Sequence, residues 1–301
     1  MIAARLIALD WGSTRLRAFL LGDGGAVLET RQSDDGAATL KGAEQYAAAL
    51  AALVGDWRAA RPDLQLLACG MVGSQYGWRE APYVRCPADA AALAGQVLRV
   101  DERLGIVPGL VDDAGQPDVM RGEETQIVGA LALRPELAAQ ACLVLPGTHS
   151  KWARVQAGRV TGLATHMTGE LFALLRQHSV LNRLMPADGS SPASPEAFLK
   201  GVDAAREDGS LSHQLFAVRT LGLFKQLAPE QLPDYLSGLL IGHELASELK
   251  GDTPRLALVG DPALCGRYAQ ALARFGQPEP LLLDNTAPAG LWALAQTMNL
   301  N

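Results

Sequence analysis

Cysteine is scarce in this 301-residue chain and does not cluster: Cys69, Cys86, Cys142 and Cys265 include no C-x-x-C pair. That removes zinc ribbons and thioredoxin-like redox motifs. Cys69 and Cys142 end or begin apolar runs, so buried free thiols in a reducing cytoplasm are expected. The five histidines show no metal-ligand spacing, which argues against a protein-bound transition metal. Basic charge is short as well. Lys and Arg number 26 against 32 Asp and Glu, a net charge of −6, so neither nucleic acid nor an anionic membrane is an expected partner. No apolar run approaches the roughly 18 residues of a membrane span, and Arg5 and Asp10 interrupt the first apolar stretch, so neither a signal peptide nor a span is expected. What is abundant is hydrophobic sequence, 49%, enough for two cores at a length that suggests two domains.

The stretch Leu6 to Leu21, LIALDWGSTRLRAFLL, joins a buried-type strand to a tight turn and a second strand. Gly12 lets backbone amides approach a ligand, Ser13 and Thr14 offer hydroxyls, and Arg15 and Arg17 sit just beyond, a set that suits an anionic oxygen. Asp10 is the exception. A carboxylate beside a phosphate needs a cation between them, and Mg²⁺, held directly or through its waters, is the natural one. Half a chain later Cys142 to Val155, CLVLPGTHSKWARV, repeats the pattern. Setting Gly12 against Gly147 pairs Ser13 with Thr148 and, after one residue of slip, Arg15 with Lys151. The halves read as a duplication, with two phosphate-gripping hairpins facing a nucleotide across a cleft.

Between the hairpins the periodicity predicts a helix over Gly42 to Arg58 and a strand over Leu64 to Cys69. The strand runs into GMVGSQYGWREAPY, a Gly-rich, polar-aromatic loop of the kind that carries substrate contacts at a strand's end. Packing of Trp78 and Tyr83 onto the core explains that loop equally well. A helix over Ala88 to Gln96 and a strand over Gly105 to Val111 follow, then Arg121-Gly122-Glu123-Glu124-Thr125-Gln126 and an amphipathic run. Acidic residues suit a first helical turn through the dipole alone; a carboxylate entering from an Arg-Gly loop can also serve as a base facing the cleft. Adjacent helical residues point about 100° apart, so only one of the two glutamates can do so, the other capping the helix or pairing with Arg121.

In the second half Thr168 is a credible N-cap for a helix over Gly169 to His178, with Leu171, Leu174 and Leu175 as its buried stripe. Pro186 to Pro195 reads as a surface loop, and Ser194-Pro195 opens the next helix. Helices are expected at about Pro195 to Ala205, Ser212 to Gln226 and Pro229 to Leu249, the last with Gly238 and Gly242 permitting close approach of another helix or of a base ring. A strand over Leu256 to Val259, a Gly260-Asp261-Pro262 turn and a helix over Leu264 to Phe275 suit an adenosine site. A strand over Leu281 to Asp284 and a closing helix over Ala287 to Met298 can return to the first domain.

Together these features resemble the actin-like ATPase superfamily of sugar kinases over the whole chain. More narrowly, DWGSTRLR at Asp10 to Arg17, CGMVGSQYGW at Cys69 to Trp78, RGEETQ at Arg121 to Gln126, PGTHSKW at Pro146 to Trp152 and TGELFALLRQHSVL at Thr168 to Leu181 are similar to the 2-dehydro-3-deoxygalactonokinase family. The resemblance implies an α/β fold of two ribonuclease H-like lobes with an interdomain ATP cleft: a sugar-binding lobe of residues 1–135 plus 288–301 and a nucleotide-binding lobe of residues 136–287. It implies ATP-dependent phosphorylation of the 6-hydroxyl of 2-dehydro-3-deoxy-D-galactonate, with Mg²⁺, in galactonate catabolism. Glu123 or Glu124 would be the base and Arg15 or Lys151 would stabilise the transferring phosphoryl group. Asp10 would bind Mg²⁺. Gly12, Ser13, Thr14, Gly147, Thr148, His149, Ser150, Lys151 and Gly260 would hold ATP; Gly73, Ser74, Trp78, Arg121 and Gly169 would hold the small sugar acid. The assembly is open, a homodimer among the possibilities. Two other classes fit the same hairpins: an exopolyphosphatase-like phosphohydrolase, whose Gly-Glu-Glu helix start is similar, and a non-catalytic actin-like nucleotide sensor.

Overall fold

The computed structural model describes residues 3–186, 193–207, 209–251 and 254–300; residues 187–192 of the expected Pro186 to Pro195 loop lie outside them. The chain begins with β1 (Ala4–Trp11), β2 (Leu16–Gly22), β3 (Val27–Ser33), α1 (Gly42–Ala60) and β4 (Gln65–Cys69). It continues with β5 (Tyr83–Arg85), α2 (Ala90–Ala94), β6 (Leu98–Arg99), β7 (Leu104–Ile106), β8 (Gly109–Asp112), β9 (Asp118–Met120) and α3 (Glu123–Leu133). The second half is β10 (Gln140–Leu145), β11 (Ser150–Gln156), β12 (Arg159–His166), α4 (Thr168–His178), α5 (Pro195–Arg206), α6 (Leu211–Leu223), α7 (Leu232–Glu248), β13 (Leu256–Val259), α8 (Pro262–Arg274), β14 (Leu281–Leu283) and α9 (Ala287–Thr297).

The described residues form three sheets, two of which share one plan. Their orders are β3-β2-β1-β4-β7-β6 and β12-β11-β10-β13-β14, and the third is β5-β8-β9. In both large sheets a three-strand hairpin run is extended on the far side of its first strand, which is the order a duplicated hairpin-led half produces. By contact density the chain divides into two compact units. The first holds the chain up to Leu143, Ala153–Ala164 and everything from Leu283 onward; the second holds Val144–Trp152 and Thr165–Leu282.

In the first unit β1 is the central strand, antiparallel to β2 and parallel to β4. Leu6, Ile7, Ala8 and Leu9 are fully buried, the pattern of a strand covered on both faces. Trp11, Tyr46, Leu50, Val54 and Trp57 pack into the core on the α1 side. The closing helix α9 returns to this unit and lies against α3 and β1, an approach so close that a Cβ on Gly290 would stand 1.9 Å from the Thr125 carbonyl oxygen. In the second unit α5 and α7 are in contact at the same short range, since a Cβ on Gly238 would stand 1.9 Å from the Phe198 carbonyl oxygen. Ser194 caps α5 by accepting from the Ala197 amide.

Four local expectations are corrected. The strand expected over Gly105 to Val111 is two strands in different sheets, because Pro108 has no amide to donate and the flanking amides diverge, Val107 to Ala68 O and Gly109 to Pro82 O. The helix expected over Ala88 to Gln96 shrinks to α2, capped by Asp89 through the Ala92 amide. Thr168 is the first helical residue of α4, not its cap; Met167 holds that position, and the Thr168 hydroxyl donates instead to Glu244. Leu174 is 45% exposed rather than part of a buried stripe; Leu171 and Leu175 alone of the three pack against the second unit's core.

Candidate functional site

In the first unit the carboxylates of interest are brought together by backbone proximity. Asp10 and Trp11 end β1, Gly70 follows β4, and Gly122 precedes α3. Gly70 has φ +93° and Gly122 φ +109°, conformations that side-chain-bearing residues rarely adopt. A Cβ on Gly70 would stand 2.8 Å from the Trp11 carbonyl oxygen, and one on Gly122 3.1 Å from the Gly70 Cα. The start of α3 is therefore seated on the strand ends that carry Asp10.

Asp10 is 8% exposed. Its carboxylate lies 2.7 Å from the Arg17 guanidinium, its antiparallel partner in the hairpin register, although Oδ2 receives no hydrogen bond of good geometry. Burial raises its pKa and the Arg17 charge opposes that rise. The Gly12 to Arg15 turn is closed by the Gly12 amide donating to Arg15 O, 2.9 Å, and leaves Ser13 and Thr14 exposed. A second loop holds it from behind: the Ala37 and Ala38 amides donate to Gly12 O and Ser13 O, both at 2.9 Å. Arg15 is exposed, 3.8 Å from Asp34.

The two glutamates divide. Glu124 is 1% exposed. It accepts from the Gly122 amide at 2.6 Å and from the Thr125 hydroxyl at 2.9 Å, and burial, aided by the neighbouring Glu123 charge, pushes its pKa up to about 8. Glu123 is half-buried and accepts from the Arg121 amide at 3.1 Å. The Arg121 guanidinium is buried over the Tyr83 ring, 4.2 Å from its centroid. Nη2 donates to Ala81 O, 2.8 Å, whereas Nε and Nη1 have no partner among the described residues. Gly73 makes room for it, since a Cβ there would stand 3.1 Å from Nη1. Ser74 is buried nearby in sequence. Trp78 stacks on Tyr46 at 5.8 Å and meets Trp11 edge-on at 6.0 Å, so its ring is committed to the core.

In the second unit the Gly147 to His149 turn packs against the start of α4: a Cβ on Gly169 would stand 2.4 Å from Gly147 O, and the Glu170 amide donates to Thr148 O at 2.9 Å. Gly147 has open space where a Cβ would be, and Thr148 is exposed. His149 is paired with Glu170. The remaining two candidates of this turn point inward. Ser150 is fully buried, and the Lys151 ammonium, 7% exposed as a residue, donates to the Thr165 hydroxyl at 2.8 Å. A cavity of about 350 Å³ adjoins the turn, lined among others by Gly147, Thr168, Gly169, Asp234, Arg267 and Tyr268. That volume is in the range of small-molecule sites. Gly260 does not line it. The helix after Gly260 does, through Leu264, Arg267 and Tyr268, while Asp261 caps that helix by accepting from the Leu264 amide at 2.9 Å.

Sequence reasoning missed Asp234, Arg267 and Glu244. Arg267 donates to Asp234 at 2.7 Å and lies over the Phe198 ring, with Nε and Nη2 unpartnered among the described residues. Nothing local in the sequence marks these residues, which sit on helices whose periodicity signals packing alone. The Asp10–Arg17 pair was not read from the sequence either, although the four-residue turn between β1 and β2 sets those positions opposite each other.

The model of the 2-keto-3-deoxy-galactonokinase family matches residues 10–294. The chain is 38% identical over 301 residues to the 2-dehydro-3-deoxygalactonokinase of Escherichia coli K12, covering 99% of each. It resembles the crystal structure of a candidate 2-dehydro-3-deoxygalactonokinase from Sinorhizobium meliloti with a TM-score of 0.84 at 35% identity, covering 97% of this chain and 99% of that one. The activator of 2-hydroxyisocaproyl-CoA dehydratase from Clostridium difficile, solved with ADPNP, shares the fold with a TM-score of 0.52 at 13% identity, covering 98% of this chain and 96% of its own.

Proposed function

The chain belongs to the 2-keto-3-deoxy-galactonokinase family, and from that premise we propose that it transfers the γ-phosphoryl group of ATP to the 6-hydroxyl of 2-dehydro-3-deoxy-D-galactonate in the cytoplasm. The observation that carries the substrate class is Arg121. A buried guanidinium with two unpartnered nitrogens beside a Gly-rich loop is costly unless an anion completes it, and a planar carboxylate matches its fork. The sugar acid supplies one. Four free cysteines support a reducing compartment.

Glu123, half-buried, is the base that accepts the hydroxyl proton. Glu124, with its pKa near 8, is protonated at neutral pH and holds the helix start as a neutral group, leaving the charge on its neighbour. This is the separation of carboxyl environments that assigns acid and base roles. The Gly12 to Thr14 and Gly147 to Thr148 turns offer backbone amides and hydroxyls to phosphate oxygens, and the second unit's cavity takes the nucleoside. Asp10 fits Mg²⁺ as a buried hard-oxygen donor whose Oδ2 is charge-paired with Arg17 at 2.7 Å but short of a well-aligned hydrogen bond, and Mg²⁺ characteristically binds through one or two carboxylates together with nucleotide phosphates and water. When bound, the ion neutralises charge on the phosphates. The test is ADP release with Mg-ATP against both 2-keto-3-deoxy-hexonate epimers, ordinary hexoses and a no-sugar control. Turnover restricted to the galactonate-derived epimer is the expected result; phosphate release without sugar would refute the kinase.

A further inference from the structure

One buried side chain ties together the parts of the second unit that adjoin the cavity. Glu244, on α7, is 3% exposed. Its Oε1 accepts from the Ser150 hydroxyl and the Trp152 indole N–H, both at 2.7 Å, and its Oε2 accepts from the Tyr268 hydroxyl at 2.7 Å and from the Thr168 hydroxyl. These four donors fill the lone-pair sites that a carboxylate offers. They come from the strand leaving the Gly147 turn, the first residue of α4 and the middle of α8, segments separated by up to 94 positions from Glu244. Burial and the adjoining carboxylate hold the Tyr268 hydroxyl protonated, as a donor.

We propose that Glu244 is the positioning residue that presets the Gly147 to Thr148 turn for the nucleotide phosphates. It does not touch the nucleotide. It acts by fixing Ser150 on one side of the turn and Thr168 on the other, against which Gly147 O is already closed by Gly169. The inference rests on the reading that this turn holds ATP. It explains why Ser150, a hydroxyl in a phosphate-type turn, faces inward and is fully buried: its donor orients the turn instead of serving the ligand. Buried networks of this kind lose disproportionately when half satisfied.

Glu244→Gln keeps the shape but turns an amide toward two donors, so the turn loosens. In the ADP-release assay the KM for ATP is expected to rise about ten- to a hundred-fold with the KM for the sugar acid unchanged, a split that general destabilisation would not produce. Tyr268→Phe removes one donor and keeps the ring, and is expected to move the ATP KM in the same direction by about three-fold; it decides the matter if the Gln variant does not fold. Wild-type ATP KM in a folded Glu244→Gln protein, or in Tyr268→Phe when the Gln variant does not fold, overturns the proposal. So does an equal rise in both KM values. Gly147→Ala tests the underlying reading separately, because among the described residues its Cβ meets no atom within 4 Å beyond its chain neighbours and so projects toward a ligand: an unchanged ATP KM there refutes the phosphate role of the turn itself.

Discussion

Replacing Glu124 by Gln tests the division of the two glutamates in both stability and activity. The wild-type carboxyl has its pKa pushed from 4.5 to about 8. Between those values the native state keeps a proton that the unfolded chain releases, so the native state binds more protons and stability falls as pH rises, levelling off above about 8. The stabilising contribution is thus complete below the unfolded value and lost through this window. At about 1.4 kcal/mol per pH unit the accumulated cost is roughly 3 kcal/mol at pH 7 and roughly 5 kcal/mol at pH 8, as an order of magnitude. Gln carries no such cost: its carbonyl can take the Gly122 amide, and its amide faces the Thr125 hydroxyl, which then rotates from donor to acceptor. Urea unfolding followed by tryptophan fluorescence from pH 5 to 9 should show the variant matching wild type at the acid end and exceeding it progressively toward pH 8. Activity at pH 7 should stay within about ten-fold of wild type, because the carboxyl it replaces is already neutral. Stability differences that do not change with pH would refute the raised pKa. A loss of about a thousand-fold or more in kcat, in a folded variant, would make Glu124 the base and reverse the assignment.

Glu123→Gln should lower kcat by about 10²- to 10⁴-fold with the ATP KM retained, measured by steady-state ADP release. Arg121→Lys loses the planar fork and its stacking on Tyr83, so the KM for the sugar acid should rise about ten- to a hundred-fold while that for ATP stays put. Asp10→Asn should shift the Mg²⁺ titration of activity to higher concentration, read at saturating ATP and sugar acid, and an unchanged midpoint would remove Asp10 from the metal. Gly238→Ala places a methyl 1.9 Å from Phe198 O and should destabilise the second unit by about 1–3 kcal/mol through forced separation of α5 and α7, seen as a lower unfolding midpoint.

The sequence by itself determined the class of fold, the two hairpins, the strand-turn-helix near the end and the family, because each of these is written in contiguous residues: apolar runs, a glycine at the turn, the Gly-Glu-Glu helix start. It also placed the closing helix α9 with the first unit, and the close approach at Gly238 and Gly242. Only the tertiary structure decided which groups are available for chemistry. Glu123 and Glu124 are adjacent and alike in sequence, and the phase of α3 over the Gly70 backbone buries one and leaves the other half exposed. Trp78 sits in a loop that reads as a ligand contact, yet Tyr46 and Trp11 take its ring. Ser150 and Lys151 read as phosphate donors until β11 turns them inward toward Glu244 and Thr165. A carboxylate 94 positions away leaves no local trace, since burial and hydrogen-bond satisfaction depend on which distant segments meet, and sequence periodicity reports only how each segment faces its own core.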